Sequence, residues 1–157
     1  MAKLFKRSLV KLVASFQDKD QCLEHMVKML ADSGCMEIPD RFLAAVKGRE
    51  EIMSTGIGRE VAIPHDRDLV VNTMRIAVCL LHQPLEFQAM DQLPVRVVFM
   101  IAVPQNSNSA YMMILRSISE YLRQDEKRLA LLASNSEDEL FARVSEIEDV
   151  ISKNIQL

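Results

Sequence analysis

The stretch Thr55-Gly56-Ile57-Gly58-Arg59-Glu60-Val61-Ala62-Ile63-Pro64-His65 carries more structural and chemical information than any other segment of this chain. It places one histidine directly after an apolar run and a proline, downstream of a turn that contains two glycines. Imidazole is a nucleophile near neutral pH and can carry a phosphoryl group. The stretch therefore singles out His65 as a candidate functional residue.

The residues around His65 are of the types that a phosphate-carrying histidine needs. Pro64 restricts the backbone and can fix where the ring points, and Gly58 can bring backbone N–H groups close to phosphate oxygens. Arg49 supplies a permanent cation with forked donors, and Thr55 supplies a hydroxyl. Each feature alone is common in turns and helix ends, so their conjunction is what favours a functional site.

The composition is that of one folded domain, expected to span residues 1–157. Apolar residues make up 49% of the chain, which is enough for a sizeable core, and the net charge is −3 from 19 basic and 22 acidic residues. This balance argues against nucleic acid as the main partner, since binding a phosphate backbone needs a basic surface.

The chain is expected to be cytoplasmic, with no insertion into a membrane. Its longest apolar run, residues 97–104, is far shorter than the ~20 residues that span a bilayer, and its N-terminus lacks the apolar segment of a secretory signal. Cys22, Cys35 and Cys79 are odd in number and widely spaced, which predicts reduced thiols in or near the core and no metal site.

Sequence periodicity predicts a sheet with helices on its faces, an α/β fold. The nearly continuous apolar runs 75–81 and 95–103 indicate central strands covered on both sides. The apolar run 9–16 could be an edge strand or a loop. Capping residues and helical spacing predict five helices, over about 18–32, 39–53, 111–123, 125–133 and from 136 onward.

Two details of these helices can be checked directly. In the helix 111–123, Met112, Leu115, Ile118 and Leu122 are predicted to share one side, and Ser107 or Ser109 is predicted to cap its start. The last helix is predicted to begin with a capping box that runs from Ser136 to Glu139.

The His65 stretch, with Arg49-Glu50 and Ser54 before it, closely resembles the phosphorylation-site signature of type-2 (fructose/mannitol) enzyme IIA domains. These belong to the bacterial phosphoenolpyruvate-dependent sugar phosphotransferase system, abbreviated PTS. The resemblance extends over about residues 9–151 and includes the segments Pro84-Leu85-Glu86-Phe87 and Val103-Pro104. It implies a single domain with a mixed β-sheet sandwiched between helices, no cofactor and no metal.

The resemblance also implies a function. His65 would be phosphorylated by the small phosphocarrier protein HPr or its nitrogen-branch relative, with Arg49 and Thr55 beside the phosphohistidine and Gly58 and Tyr111 in support. The phosphoryl group would then pass to an EIIB domain of a sugar permease, or act as a signal read by a regulatory target protein. Because no permease sequence is fused to the domain, we slightly favour the regulatory role over the role in sugar transport. Which imidazole nitrogen reacts is left open, because tautomer and neighbours set it.

Two residues depart from the family pattern. Asp66 stands where the family usually has glycine, alanine or cysteine. Its carboxylate would repel an incoming phosphoryl group unless it points away or pairs with Arg67. Tyr111 aligns with a position that often holds a second histidine; it can donate one hydrogen bond but is not a cation. These departures motivate a second hypothesis, an enzyme-IIA-like binding module that carries no phosphate.

Overall fold

The computed structural model describes residues 3–107 and 109–155, and these form six strands and five helices. The strands are β1 (Phe5–Val13), β2 (Gly56–Gly58), β3 (Val61–Ala62), β4 (His65–Asp68), β5 (Arg75–Leu85) and β6 (Val95–Pro104). The helices are α1 (Lys19–Asp32), α2 (Pro39–Ile52), α3 (Ala110–Arg123), α4 (Asp125–Leu132) and α5 (Glu137–Ile155). None of these helices is long and apolar enough to cross a membrane.

All six strands belong to one mixed sheet. Its order is β1-β5-β6-β3-β2, and β4 pairs with β6 beyond the end of β3. β5 and β6 are antiparallel neighbours, with Val78 opposite Phe99, whereas β1 runs parallel to β5 and both β3 and β4 run parallel to β6. The expected mixed sheet between helices is confirmed, and β3 and β4 follow one another along the same side of β6.

β5 and β6 form the centre of the fold because their side chains alternate between two covered faces. On one face, residues of α1 and α2 such as Met26 and Phe42 pack with Met100 of β6. On the other, α3, α4 and α5 cover Phe99, whose ring meets Phe5 edge-on with 6.3 Å between centroids. Complete burial of such a side chain contributes about 1.5–3 kcal/mol. The two predicted central strands are confirmed, and their continuous apolar runs reflect these two covered faces.

β1 is an edge strand. An edge strand was one of the two structures, with a loop, that the apolar run 9–16 allowed. The outer N–H groups of β1 are bound by carboxylates of α5. Glu148 Oε1 accepts hydrogen bonds from Leu4 at 3.0 Å and Phe5 at 2.9 Å, and Glu137 Oε2 accepts one from Leu12 at 3.1 Å. An open edge invites pairing with other chains, so α5 protects this side of the sheet.

Most helix ends lie where capping residues predict them. Asp18 caps α1, and Gly34 follows the end of this helix with a φ of +84°, the left-handed conformation common after helices. At the start of α5, Ser136 Oγ accepts the N–H of Glu139 at 3.1 Å, as the capping box predicts. The reciprocal bond is shifted by one residue, because Glu139 reaches the N–H of Asn135 at 2.8 Å.

The predicted buried side of α3 is confirmed for Ile118 and Leu122, and Leu115 packs against the same core while partly buried. Met112 is the exception, since it is 54% exposed. The helix buries Ile114 and Tyr121 in addition, so its buried side is rotated slightly from the one that the periodicity predicts. The predicted cap is also wrong, since Ser109 stands at the N-cap position but its side chain makes no capping hydrogen bond.

The three cysteines lie in the core as predicted, and all are free thiols. Burial raises the pKa of Cys22 and Cys35, and it raises that of Cys79 to about 12. Thiols of this kind stay protonated at neutral pH and are poor nucleophiles. They act in this fold as small apolar side chains.

Candidate functional site

His65 is the first residue of β4, at the point where the chain leaves β3 and rejoins the sheet beside β6. The carbonyl of Pro64 accepts a hydrogen bond from the N–H of Ile101 at 2.9 Å, which holds the backbone directly before the histidine. The imidazole is half-buried, and its Nδ1 lies 2.8 Å from the carbonyl oxygen of Ile63. Both the backbone and the ring of His65 are therefore held by specific contacts.

The contact with Ile63 selects the tautomer of His65. A carbonyl oxygen only accepts hydrogen bonds, so in the neutral ring Nδ1 carries the proton and donates it. Nε2 then keeps a free lone pair, as a nucleophile must. The sequence left the reactive nitrogen open, and this contact favours Nε2.

The side chains of β4 alternate between the two faces of the sheet. His65 lies opposite Ile101, which belongs to the core covered by α3, α4 and α5. Asp66 lies opposite Ala102, which belongs to the core under α1 and α2. Arg67 returns to the same face as His65. The adjacent residues His65 and Asp66 therefore point to opposite faces of the sheet.

The carboxylate of Asp66 binds the backbone of the next residue. Its Oδ1 accepts a hydrogen bond from the N–H of Arg67 at 2.8 Å. Burial raises the pKa of Asp66, while this hydrogen bond and the charges of His65 and Arg49 act in the opposite direction. Of the two possibilities that the sequence left open, the side chain points away, and it binds the backbone of Arg67 rather than its guanidinium group.

Arg49 lies in the last turn of α2, where its Nη1 donates a hydrogen bond to the carbonyl of Met53 at 3.0 Å. Its charge acts on Asp66, which faces the α2 side of the sheet. No hydrogen bond between Arg49 and His65 occurs among the described residues. The structure thus places Arg49 within electrostatic range of Asp66 on β4.

Thr55 is buried and tied to the end of α2. Its N–H donates to Glu50 Oε1 at 3.1 Å, and its hydroxyl donates a short hydrogen bond to Glu50 Oε2. Its carbonyl accepts the N–H of Ile63 at 3.0 Å, and Ile63 in turn contacts the His65 ring. The hydroxyl proton is therefore already engaged, and Thr55 connects to His65 through the backbone of one intervening residue.

Lys19 forms a buried ion pair with Glu50 that sequence reasoning missed. Its Nζ lies 2.8 Å from Glu50 Oε1, and the two side chains are 15% and 4% exposed. The same Nζ lies 4.6 Å from the ring centroid of Phe87. One feature of the sequence could have indicated this ion pair: Lys19 is a cation in the first turn of α1, where the helix dipole disfavours positive charge. Such a position calls for a carboxylate partner, but nothing local identifies Glu50.

Gly58 belongs to the hairpin that joins β2 to β3. Its φ is +99°, and Arg59 and Glu60 also have positive φ values of 56° and 70°, the pattern of a type I′ turn. The carboxylate of Asp91 supports this turn by accepting the N–H of Arg59 at 2.8 Å and that of Leu93 at 3.1 Å. These two backbone hydrogen bonds lower the pKa of Asp91.

The hairpin turn lies well away from His65. Gly58 pairs with Val61, which lies opposite Val97 of β6, whereas His65 lies opposite Ile101. Four residues along a strand correspond to about 13 Å. The N–H of Gly58 is therefore out of hydrogen-bonding reach of the imidazole, and this glycine shapes the hairpin that leads to it.

Tyr111 lies at the start of α3 and contacts Arg67. The guanidinium carbon of Arg67 is 5.0 Å from the centroid of the Tyr111 ring. Arg67 Nη1 also donates a hydrogen bond to the carbonyl of Ser107 at 3.0 Å. The structure thus places Tyr111 against a cation that shares the His65 face of β4.

A cavity of about 530 Å³ opens beside the Lys19–Glu50 pair and is also lined by Phe16 and Pro84. His65 is not part of its lining, so this cavity is not a substrate pocket for the histidine. In the ranges 3–107 and 109–155, no cluster of three or more His, Cys, Asp or Glu side chains could hold a metal ion.

Comparison with known proteins identifies the family of this chain. Residues 3–147 match the family described as phosphoenolpyruvate-dependent sugar phosphotransferase system, EIIA 2. The fructose-specific EIIABC component of Bacillus subtilis is 30% identical over 138 residues, which are 88% of this chain. The chain spans only 22% of the length of that relative.

Solved structures of EIIA proteins also superpose on this chain. The nitrogen regulatory protein IIA-Ntr from Neisseria meningitidis superposes with a TM-score of 0.82 at 25% identity, covering 89% of this chain and 95% of that one. A chain of the complex of enzyme IIAMTL and phosphorylated enzyme IIBMTL from Escherichia coli superposes with a TM-score of 0.74 at 19% identity, covering 91% and 99%. The second likeness is one of fold alone. With residues 3–147 matched, the chain belongs to the EIIA 2 family of the phosphoenolpyruvate-dependent sugar phosphotransferase system.

Proposed function

We propose that this chain is a phosphocarrier that accepts a phosphoryl group on Nε2 of His65 from HPr or a nitrogen-branch HPr-like protein. The observation that carries the proposal is the 2.8 Å contact between His65 Nδ1 and the carbonyl of Ile63. It holds the proton on one ring nitrogen and leaves the other as the nucleophile. Membership of the EIIA 2 family supports the same role, since His65 would then be the phosphoryl acceptor of a phosphotransferase component.

The transfer is an in-line displacement. The lone pair of His65 Nε2 forms a new N–P bond while the N–P bond of the donor phosphohistidine breaks, and its electron pair returns to the donor ring. The accepting ring gains positive charge, which the Nδ1–H shares with the carbonyl of Ile63. Neither a metal nor a cofactor takes part, and nearby hydrogen-bond donors balance the phosphoryl charge.

The predicted supporting residues take different parts in this proposal. Arg49 supplies positive charge near β4, where it also offsets the carboxylate of Asp66. Thr55 holds the backbone that leads to Ile63 and His65, and Gly58 shapes the preceding hairpin. These residues would act mainly by positioning the histidine, since preorganised groups require no rearrangement during transfer.

The acceptor of the phosphoryl group would be an EIIB domain or a regulatory target protein. The mannitol relative in the solved complex is described with phosphorylated enzyme IIB, and the Neisseria relative is described as a nitrogen regulatory protein. A relay that begins with phosphoenolpyruvate would place this chain in the cytoplasm. The alternative of a module without phosphate was motivated by Asp66 and Tyr111, and the position of Asp66 on the other face of the sheet argues against the first of these grounds.

The test is phosphorylation by phosphoenolpyruvate, enzyme I and HPr, read by intact mass at neutral to alkaline pH because phosphohistidine is acid-labile. We expect one phosphoryl group, ~80 Da, on the wild type and none on His65→Ala. The matched control is His82→Ala, which removes an exposed histidine of another strand and should label like the wild type. An unlabelled wild type, beside an enzyme IIA that does label, would refute the proposal.

A further inference from the structure

We propose that Arg67 is the cation that binds the phosphoryl group on His65, and that Tyr111 is the residue that positions it. This inference rests on the proposed phosphocarrier function. Arg67 follows His65 by two residues in β4 and therefore lies on the same face of the sheet. Their Cα atoms are about 7 Å apart on that face, and an arginine side chain can cross such a distance.

Two contacts hold the guanidinium group of Arg67. The ring of Tyr111 lies 5.0 Å from its central carbon, and the carbonyl of Ser107 accepts a hydrogen bond from Nη1 at 3.0 Å. A planar guanidinium group can stack on an aromatic face and still direct its other N–H groups at a phosphate. Within residues 3–107 and 109–155, Nη1 is the one nitrogen of this side chain that donates a hydrogen bond, which leaves Nε and Nη2 for that purpose.

The charge of Arg67 is also available. None of the described carboxylates forms an ion pair with its side chain, and Asp66 uses its oxygen for the backbone N–H instead. Arg49 also carries a charge near β4, but it belongs to α2, and its Nη1 donates a hydrogen bond to the carbonyl of Met53 at 3.0 Å.

Arg67 would act without any proton transfer. The phosphoryl group arrives with two negative charges and keeps them on its oxygens after the N–P bond to His65 forms. The guanidinium group stays protonated and donates charge-assisted hydrogen bonds to these oxygens. Tyr111 then contributes through its aromatic face rather than by donating from its hydroxyl, which explains why a residue that is not a cation stands at this position.

The first test measures the rate of phosphoryl transfer from phosphorylated HPr to each variant. We expect Arg67→Gln to lower the rate constant about tenfold, the effect of losing one charge-assisted hydrogen bond, and Arg67→Lys to lower it less. Arg143→Gln, which removes an exposed arginine paired with Glu146 on α5, is the control and should match the wild type. A wild-type rate for Arg67→Gln would overturn the inference and leave the phosphocarrier function intact.

Tyr111 is tested by a pair of variants that separate its ring from its hydroxyl. Tyr111→Ala removes both and should slow transfer several-fold, whereas Tyr111→Phe keeps the ring and should rescue most of that loss. If Tyr111→Phe is as slow as Tyr111→Ala, the hydroxyl is the active group and the positioning role assigned here is wrong.

A second measurement does not depend on HPr. The small donor phosphoramidate, which releases ammonia as its N–P bond breaks, is used to phosphorylate His65 of the full chain. We expect the ¹⁵N–¹H signal of Arg67 Nε, assigned from the spectrum of Arg67→Lys, to shift on phosphorylation. An unshifted signal would refute the inference. Labelling by phosphoramidate but not by HPr would refute the proposed function alone, and no labelling by either donor would refute both.

Discussion

Glu50 accepts both of the hydrogen bonds that Thr55 donates, from its N–H and from its hydroxyl. The same carboxylate is paired with Lys19, so one buried charge joins the start of α1, the end of α2 and the segment before His65. Since the carbonyl of Thr55 binds the N–H of Ile63, a disturbance at Glu50 would reach the backbone beside the histidine.

Glu50→Ala is expected to lower the free energy of unfolding by about 3 kcal/mol. The substitution leaves the buried ammonium group of Lys19 without its partner and two donors of Thr55 unsatisfied. The neighbouring Glu51→Ala removes an exposed carboxylate and should change stability by less than about 0.5 kcal/mol. Urea denaturation of both variants at neutral pH makes the comparison, and equal losses would contradict the buried network.

Gly56→Ala is expected to destabilise the fold by about 1–3 kcal/mol. A Cβ at this position would lie 2.8 Å from the Cβ and 2.9 Å from the Cα of Ala89, so the backbone would have to move. Gly48→Ala is the opposite case, because a Cβ there meets nothing within 4 Å and the residue lies inside α2. Thermal unfolding should show Gly48→Ala stabilised by about 0.5–1 kcal/mol, and a loss at Gly48 would mean the helix is packed differently.

The phosphoryl group is expected on Nε2 of His65. Long-range ¹H–¹⁵N correlations of the ring distinguish the two phosphohistidine isomers, because only the substituted nitrogen couples to phosphorus. The prediction depends on the carbonyl of Ile63 keeping the proton of Nδ1 in place. A phosphoryl group on Nδ1 would require that contact to break, and it would show that the ring turns before transfer.

Asp91 is expected to make the hairpin turn sensitive to acid. The backbone N–H groups of Arg59 and Leu93 hold the pKa of Asp91 below its usual range. The stabilisation is therefore present above the unfolded-state pKa and is lost as the pH falls through the lower folded-state value. Asp91→Asn should unfold at a lower temperature than wild type at neutral pH.

This difference between Asp91→Asn and the wild type should narrow as the pH falls below about 4. Asp149→Asn, at an exposed position on α5, serves as the control for a general change in charge. Melting temperatures of both proteins, recorded from neutral pH to below about pH 4, test whether the difference narrows. A difference that grows in acid would show that the carboxylate destabilises the turn.

The parts of the fold that were predicted are those whose signal is local. β5 and β6 have long apolar runs, and α1 and α5 carry their caps within a few residues of their ends. The three short strands β2, β3 and β4 went unpredicted, because two to four residues display no period. They are strands only through their pairing with one another and with β6, which is distant in sequence.

The candidate site also has parts that the sequence predicts and parts that it does not. The motif around His65 predicts the histidine and Pro64 as part of the site, and the match to the EIIA 2 family supports this prediction. The Lys19–Glu50 pair and the stacking of Arg67 on Tyr111 join residues from different elements, so no spacing along the chain could indicate them. The orientation of Asp66 needed the register of β4 on β6, which one sequence does not specify.

The hydrogen bonds from Leu4 and Phe5 to Glu148 bring the first strand and the last helix of the domain together. A domain whose two ends lie close together can be inserted into a longer polypeptide without distorting the chain on either side. The loop-closure entropy of such an insertion is small, because the flanking segments are already neighbours. The same architecture can thus serve as a free-standing protein or as one module of a larger chain, and circular permutants joined at this point should keep the sheet intact.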